Sequence, residues 1–447
     1  MVSKLDPNLL TDDNFYYFSM LSDRFEPLNK RWAEGLEKRF HKKFKPIFVL
    51  PSKHNKLFEE ENYIVLNQAL EKLEKRLGRN NITWLIYPED LNKQFSENKL
   101  VKDLIKKLVK KQDKVFVLSF TDVWLNIDNP NVVLLGPDPK IAAKFDNKLE
   151  HIKTFETLGF KTNPTEVYKN FEELRTKRKE YPFFLSPVYT SGGIESKVIY
   201  TPEDLENFYA SLRLINKRGS FIGSHLLTDI ILAPNINAIV TGKNLTTIIC
   251  LSDQILRDNK YMGNFYPSKA SEKYQKIMFD CATKVGNYLS RQGFKGLFGL
   301  DFLITKRGEC YPTDLNPRRQ GGYYCNVLMS QKIDIIDLEL RLALNEALPK
   351  IKYKDFQVNY CWAHSKLLPY FHNMEIEKEF EVGKPTDPFN KIGSQYKAIY
   401  YPKNNVLIEG NPGFYLITGT SYRSIKSKLV QNTEKLVSKG FSVYESL

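Results

Sequence analysis

Long apolar runs are missing from this sequence. No stretch of about 18 consecutive apolar residues occurs in its 447 positions, so no membrane-spanning helix is expected. Residues 1–15 lack the apolar centre of a signal peptide, and a cytoplasmic protein is the expectation. Cysteine is sparse: Cys250, Cys281, Cys310, Cys325 and Cys361 are widely spread, with no CxxC pair. A disulfide framework and a structural zinc site are therefore not expected, and a reducing compartment is. With 42% hydrophobic and 26% charged residues, the chain is neither collagen-like, low-complexity nor intrinsically disordered. Acid is in deficit: 66 Lys and Arg stand against 52 Asp and Glu, for a net charge of +14. That sign favours anionic partners such as nucleotides, nucleic acid or an acidic membrane surface, although solvated lysines give the same number. A regular interleaving of aromatic and basic residues is absent, which argues against single-stranded nucleic acid as the partner.

What is present is an alternation of short apolar runs with longer amphipathic stretches, the pattern of βαβ units. Strands are expected at 46–50, 82–87, 115–120 and 132–135, with helices at 64–77 and 99–111 between them. In the second helix Leu100, Leu104, Ile105, Leu108 and Val109 make one apolar face and lysines the other. The turn-rich segment at 135–140 marks a boundary. Strands at 183–187 and 197–200 then flank a loop containing Ser191, Gly192 and Gly193. Thr201, followed by Pro202, Glu203 and Asp204, caps a helix to about 214. A tail from 349 has strand-like segments at 357–368, 397–401 and 414–418, and a final helix at 422–438.

The segment 299–318 carries the clearest chemistry. It reads as two strands joined by a two-residue turn at Arg307 and Gly308, with Lys306 facing Glu309. That register sets Asp301 directly opposite Asp314, with Asn316 on the same face. Opposed side chains have Cβ atoms about 5 Å apart. Two carboxylates so close repel unless a cation lies between them, and two Asp with one Asn form an oxygen set suited to Mg²⁺. Arg318, just past the strand, is placed to meet a phosphate or a developing negative charge. The competing reading is a polar outer face on a surface hairpin, and Pro312 warns of a bulge that would shift the register. Small residues at 191–193 let a loop close over phosphates, though a Gly-Gly pair also makes an ordinary turn.

These residues resemble the ATP-grasp ligases, the fold of biotin carboxylase, carbamoyl phosphate synthetase, glycinamide ribonucleotide synthetase and amino-acid ligases. The resemblance covers roughly 137–347. Asp314-Leu315-Asn316-Pro317-Arg318 is similar to the family's Glu-x-Asn-Pro-Arg signature, with Asp in place of Glu. Asp301 matches the earlier metal carboxylate, and Asp146-Asn147-Lys148 the element whose lysine contacts ATP phosphates. Residues 186–193 resemble the phosphate-covering loop. The family usually has a basic residue where Ser186 stands, and Lys197 on the next strand is the expected compensation. The adenine-holding hinge, which usually carries an acid, is here Ile222-Gly223-Ser224-His225-Leu226. Its backbone at Ser224 and Leu226 is expected to read adenine, and His225 is expected to be a partly buried structural histidine.

The resemblance implies an α/β fold. A Rossmann-like domain would span 1–136, the two α+β lobes of an ATP-grasp core 137–220 and 221–347, and a small α+β C-terminal domain 348–447. It implies ATP and Mg²⁺ as cofactors, Asp301, Asp314 and Asn316 as metal ligands and Arg318 as the catalytic residue. Lys148, Ser191, Gly192, Gly193, Lys197, Ser224 and Leu226 would bind the nucleotide. The implied reaction activates a small-molecule carboxylate as an acylphosphate and joins it to an amine, in amino acids or peptides among other candidates. A homodimer is an open alternative, a membrane partner is not expected, and two rival functions remain: a nucleotide-binding protein without turnover, and a basic nucleic-acid binder.

Overall fold

The structure, a computed structural model, describes residues 3–20, 26–50, 62–66, 94–119, 129–137, 139–145, 147–188, 195–212, 217, 219–257, 259–330, 332–369, 374–375, 397–400, 406–407, 413–438 and 441–442. The first sheet has five parallel strands: β1 (Phe15–Ser19), β2 (Phe44–Leu50), β3 (Tyr63–Val65), β4 (Val115–Leu118) and β5 (Val132–Leu135). Their order is β3-β2-β1-β4-β5, so the direction of winding reverses at β1 and the carboxyl ends of β1 and β4 open a crevice. Two differences from the sequence reading stand out. The central strand β1, with the aromatic-rich sequence FYYFS, was not anticipated. Ile64 and Val65, expected to begin a helix, lie in β3, where β-branched side chains pack well on a pleated surface. Residues 67–77 of that expected helix and the strand at 82–87 lie outside the described residues.

Helices cover both faces of this sheet. Leu28, Trp32 and Leu36 of α1 (Glu26–Phe40) pack with Tyr17, Phe116 and Leu118. Val101, Leu104, Ile105 and Leu108 of α2 (Lys99–Gln112) pack with Tyr16, Phe18 and Val117 on the other side. Asn98 caps α2 by accepting from the Val101 amide, and Lys110 and Lys111 suit its negative C-terminal end.

Next in the chain, α3 (Lys148–Thr157) leads into a four-stranded antiparallel sheet. Its strands are β6 (Thr165–Tyr168), β7 (Phe183–Pro187), β8 (Lys197–Ile199) and β9 (Phe221–His225), in the order β6-β9-β7-β8. Helices α4 (Phe171–Lys177) and α5 (Pro202–Ser211) cover one face through Leu174, Leu205 and Phe208 against Phe183, Leu185 and Ile199. Thr201 caps α5 as its sequence implies, accepting from the Asp204 amide at 3.1 Å.

The largest sheet has ten strands among the described residues. It includes β10 (Ile230–Leu232), β11 (Pro234–Gly242), β12 (Leu245–Arg257), β13 (Lys260–Tyr266), β14 (Gly296–Thr305), β15 (Cys310–Asn316) and β16 (Cys361–Pro369). The long helix α6 (Glu272–Arg291) buries Met278, Cys281, Val285 and Leu289 against one face. On the other face Ile239, Cys250, Tyr266 and Trp362 share a core with α1, with β4 and with α7 (Ile335–Ala343). The strand β16 pairs directly with β13, so this sheet runs on through the boundary expected at 347 and 348. No helix among the described residues is long and apolar enough to cross a membrane.

Candidate functional site

The β14–β15 hairpin brings Asp301 opposite Asp314, with Asn316 opposite Gly299 on the same ladder. The turn that does this is not the expected one. Its loop has three residues, Lys306, Arg307 and Gly308, closed by hydrogen bonds from the Thr305 amide to Glu309 O and from the Gly308 amide to Thr305 O. Lys306 therefore does not face Glu309. Gly308 sits at φ +85°, a conformation that favours glycine. Nearer the site, Phe302 pairs with Pro312 while Asp301 pairs with Asp314, leaving Thr313 as an extra, bulged residue. Pro312, which has no N–H to give the ladder, lies beside that irregularity. The longer loop and the bulge each shift the register by one residue, in opposite senses, and the two carboxylates meet.

Around Asp301 the protein supplies amides. Asn235 Nδ2 donates to Asp301 Oδ1 at 2.5 Å and to Gln320 Oε1 at 2.9 Å, and Gln320 Nε2 donates to Asp301 Oδ1 at 3.3 Å. Asn316 Nδ2 lies 3.4 Å from Asp301 Oδ2. Burial, and then the charge of Asp314, push the Asp301 carboxyl upward, against the hydrogen bonds from Asn235 and Gln254. Asp314 goes the other way. Burial alone would raise it, but the Lys148 charge, a hydrogen bond from His151 and the Arg318 charge hold it well below the usual carboxylate range.

Lys148 and His151 come from α3, three residues apart and so on one face of the helix. Lys148 Nζ lies 3.4 Å from Asp314 Oδ1, and its backbone amide donates to Val188 O at the end of β7. The helix end thus joins the facing carboxylates to the four-stranded sheet. An ammonium already stands where a cation would neutralise Asp314. The donor set is all oxygen once the Asn316 amide turns its Oδ1 inward, and this fits Mg²⁺. Among the described residues no group of three His, Cys, Asp or Glu side chains could hold a metal ion, so a cation at this pair would need phosphate oxygens or water to fill its shell.

Arg318 leaves the strand beside Asp314, half-buried, with Nη1 donating to Arg319 O at 3.3 Å. Arg319 turns into the protein, where it donates to Ser119 O and Leu135 O at the carboxyl ends of β4 and β5 and pairs with Glu339 of α7. The crevice of the first sheet is thereby tied to the strand that carries Asp314.

The four-stranded sheet presents its uncovered face through Ser186 and Ser224. Ser186 is buried, and Ser224 Oγ lies 3.1 Å from Thr165 Oγ1. Leu226 follows β9 and is half-buried. Lys197 is not brought to the pair. It stands opposite Leu185, whose side chain belongs to the helix-covered core, and so points to the face away from Ser186. It is also exposed, and the expected compensation for Ser186 fails on register. His225 is exposed rather than partly buried; its backbone bonds to Pro164 and Asn163 and pairs with Phe183 across the sheet. Asp146, Ser191, Gly192 and Gly193 lie outside the described residues.

Sequence reasoning missed His151, Asn235, Gln320 and Arg319. For Asn235 a signal existed: Asn235 and Asn237 alternate with Ile236 and Ala238 in β11, polar on one face and apolar on the other. The polar band continues along that face through Ser252 and Asn264, joined at 3.0 Å, to His364, whose Nδ1 accepts from the Asn264 amide at 3.2 Å.

A family model described as ATP-grasp domain matches residues 145–322. Formate-dependent phosphoribosylglycinamide formyltransferase of Bacteroides fragilis is 25% identical over 199 residues, covering 44% of this chain and 50% of the relative. The chain thus spans about half the length of that relative. In overall shape it is similar to the β,γ-ATP complex of biotin carboxylase from Campylobacter jejuni. The TM-score is 0.66 at 14% identity, over 96% of this chain and 91% of the other. L-amino acid ligase from Bacillus licheniformis gives a TM-score of 0.61 at 13% identity, over 98% and 100%.

Proposed function

We propose that this chain, which carries an ATP-grasp domain over residues 145–322, is a ligase that activates a carboxylate with Mg-ATP and joins it to an amine. The observation that carries this reading is the facing pair of Asp301 and Asp314, with Asn316 beside it and Lys148 laid against it. Bound Mg²⁺ would supply charge neutralisation and hold the phosphates for in-line transfer. Asp301, Asp314 and Asn316 would hold it.

The remaining steps belong to the chain's own side chains. Lys148 leaves Asp314 for the nucleotide phosphates. The substrate carboxylate attacks the γ-phosphorus, the bond to the β-γ bridging oxygen breaks, and ADP departs. Arg318 stabilises the transferring phosphoryl group and the acylphosphate. The amine then attacks the acyl carbon, the bond from that carbon to the phosphoryl oxygen breaks with its electron pair going to the departing phosphate, and the amine loses its proton. Ser191, Gly192 and Gly193 are assigned to cover the phosphates and keep water from the acylphosphate. Ser224 and Leu226 are assigned to the adenine end.

A reading without turnover, as a nucleotide-binding protein, draws on Ser186 and on the failure of Lys197 to replace the missing basic residue. Release of ADP separates the two. Mg-ATP with a panel of carboxylate and amine pairs, amino acids first, should give ADP and an amide product identified by mass. If no pair in the panel gives ADP release while Mg-ATP binds tightly, the binding protein is favoured.

A further inference from the structure

We propose that His151 is a positioning residue that fixes the Asp314 carboxylate for its cation, an inference that rests on the Mg-ATP reading above. His151 is 2% exposed and is clamped at both ring nitrogens. Nε2 lies 2.7 Å from Phe145 O, on the last residue of the short helix Pro139–Phe145 that precedes α3. Nδ1 lies 2.8 Å from Asp314 Oδ1, and the Leu315 backbone N–H points at the same nitrogen from 3.3 Å, so one ring edge meets both the carboxylate and the backbone of β15. Asp314 Oδ1 and Phe145 O can only accept, so the clamp is made by an N–H at each ring nitrogen.

Two α3 side chains thus reach one oxygen, and they differ in freedom. Lys148 is 22% exposed on a flexible stem, able to swing to a phosphate when nucleotide enters. His151 is packed on all sides and stays. When Lys148 departs, His151 keeps Oδ1 and leaves Oδ2 for the cation. An acid with one oxygen held by a buried partner presents its other oxygen in a fixed direction, the general role of groups behind a metal ligand. Asp314 is one methylene shorter than the glutamate of the signature it resembles, and helix α3 brings the supporting ring to it.

The two contacts of the ring can be kept one at a time. Asn places its amide nitrogen near the position of Nδ1, and Gln near that of Nε2. His151→Asn therefore keeps the reach to Asp314, and His151→Gln keeps the bond to Phe145 O. The measurement is calorimetric binding of a non-hydrolysable ATP analogue to the full chain, titrated with Mg²⁺, beside the melting temperature of each metal-free protein. In His151→Gln the Mg²⁺ needed for half of its effect on affinity should rise about 10- to 100-fold, while affinity without Mg²⁺ stays within about twofold. In His151→Asn the Mg²⁺ requirement should return most of the way to the parent, even if the melting temperature does not. Parental Mg²⁺ dependence in His151→Gln would overturn the proposal, as would equal losses in both variants that merely follow the melting temperature. A parent whose nucleotide binding ignores Mg²⁺ would overturn the Mg-ATP reading itself, and this inference with it.

Discussion

Arg319 turns away from its neighbour Arg318 and closes a buried ion pair with Glu339, the two side chains being 2% and 8% exposed. Tyr323 donates to the second oxygen of Glu339 at 2.5 Å, and Trp32 lies against the guanidinium at 5.1 Å. Breaking a buried pair strands one charge in a low dielectric, at about 3–5 kcal/mol. Arg319→Met should lose stability on that scale in urea unfolding. Arg319→Met combined with Glu339→Leu should lose less than the sum of the two single changes. A loss below about 1 kcal/mol in the single variant would contradict a buried, paired Arg319.

Gly299 lies under Gln320. A Cβ at this position would come within 1.8 Å of the Gln320 side-chain amide, whose end can move where a backbone could not. Gly299→Ala should therefore fold normally and displace Gln320 from Asn235 and Asp301. ADP release should fall about 10- to 100-fold, the scale for losing support behind a metal ligand. Circular dichroism checks the fold, and unchanged turnover would remove Gln320 from the site.

Asp301 is raised by burial and by the facing Asp314, so its charged form costs the folded state stability. A carboxyl whose folded value is raised lets the folded chain bind more protons than the unfolded one above its ordinary value of 3.8, and stability falls as pH rises from there. In metal-free protein at pH 7.5, Asp301→Asn should melt higher than the parent, and the gap should close below about pH 4. A lower melting temperature for the variant at pH 7.5 would contradict the crowding of the two carboxylates.

His364 has the opposite sign. Burial, helped by the Lys366 charge, pushes it down from 6.5 to about 3. It stays neutral in the fold, while the unfolded chain takes up the proton as pH falls below 6.5. Its contribution is complete above that value and is lost on acidification. Between pH 7.5 and 5 the parent should lose more melting temperature than His364→Gln, in scanning fluorimetry. Parallel curves would show that His364 is not held neutral.

Much of the fold was readable because it is local. The apolar stripe of α2, the Thr201 cap and the continuous apolar runs of β4 and β5 depend on neighbours a few residues away. The facing of Asp301 and Asp314 was readable for a less secure reason. The expected loop was one residue short and the bulge at Thr313 was not placed, and the two cancel. His151 was not readable, because nothing in a helix sequence says that its buried face will meet a strand far along the chain. Lys197 shows the reverse: a plausible residue type, set on the wrong face by strand alternation alone.

Calorimetry with a non-hydrolysable ATP analogue, with and without Mg²⁺, tests the carboxylate pair most directly. The parent should bind the analogue more tightly with Mg²⁺ by about tenfold or more, the scale of one charged contact. Asp301→Asn and Asp314→Asn should each bind without Mg²⁺ much as the parent does, and lose most of the gain. No binding at millimolar nucleotide in either condition, or a full gain kept in both variants, would contradict the account.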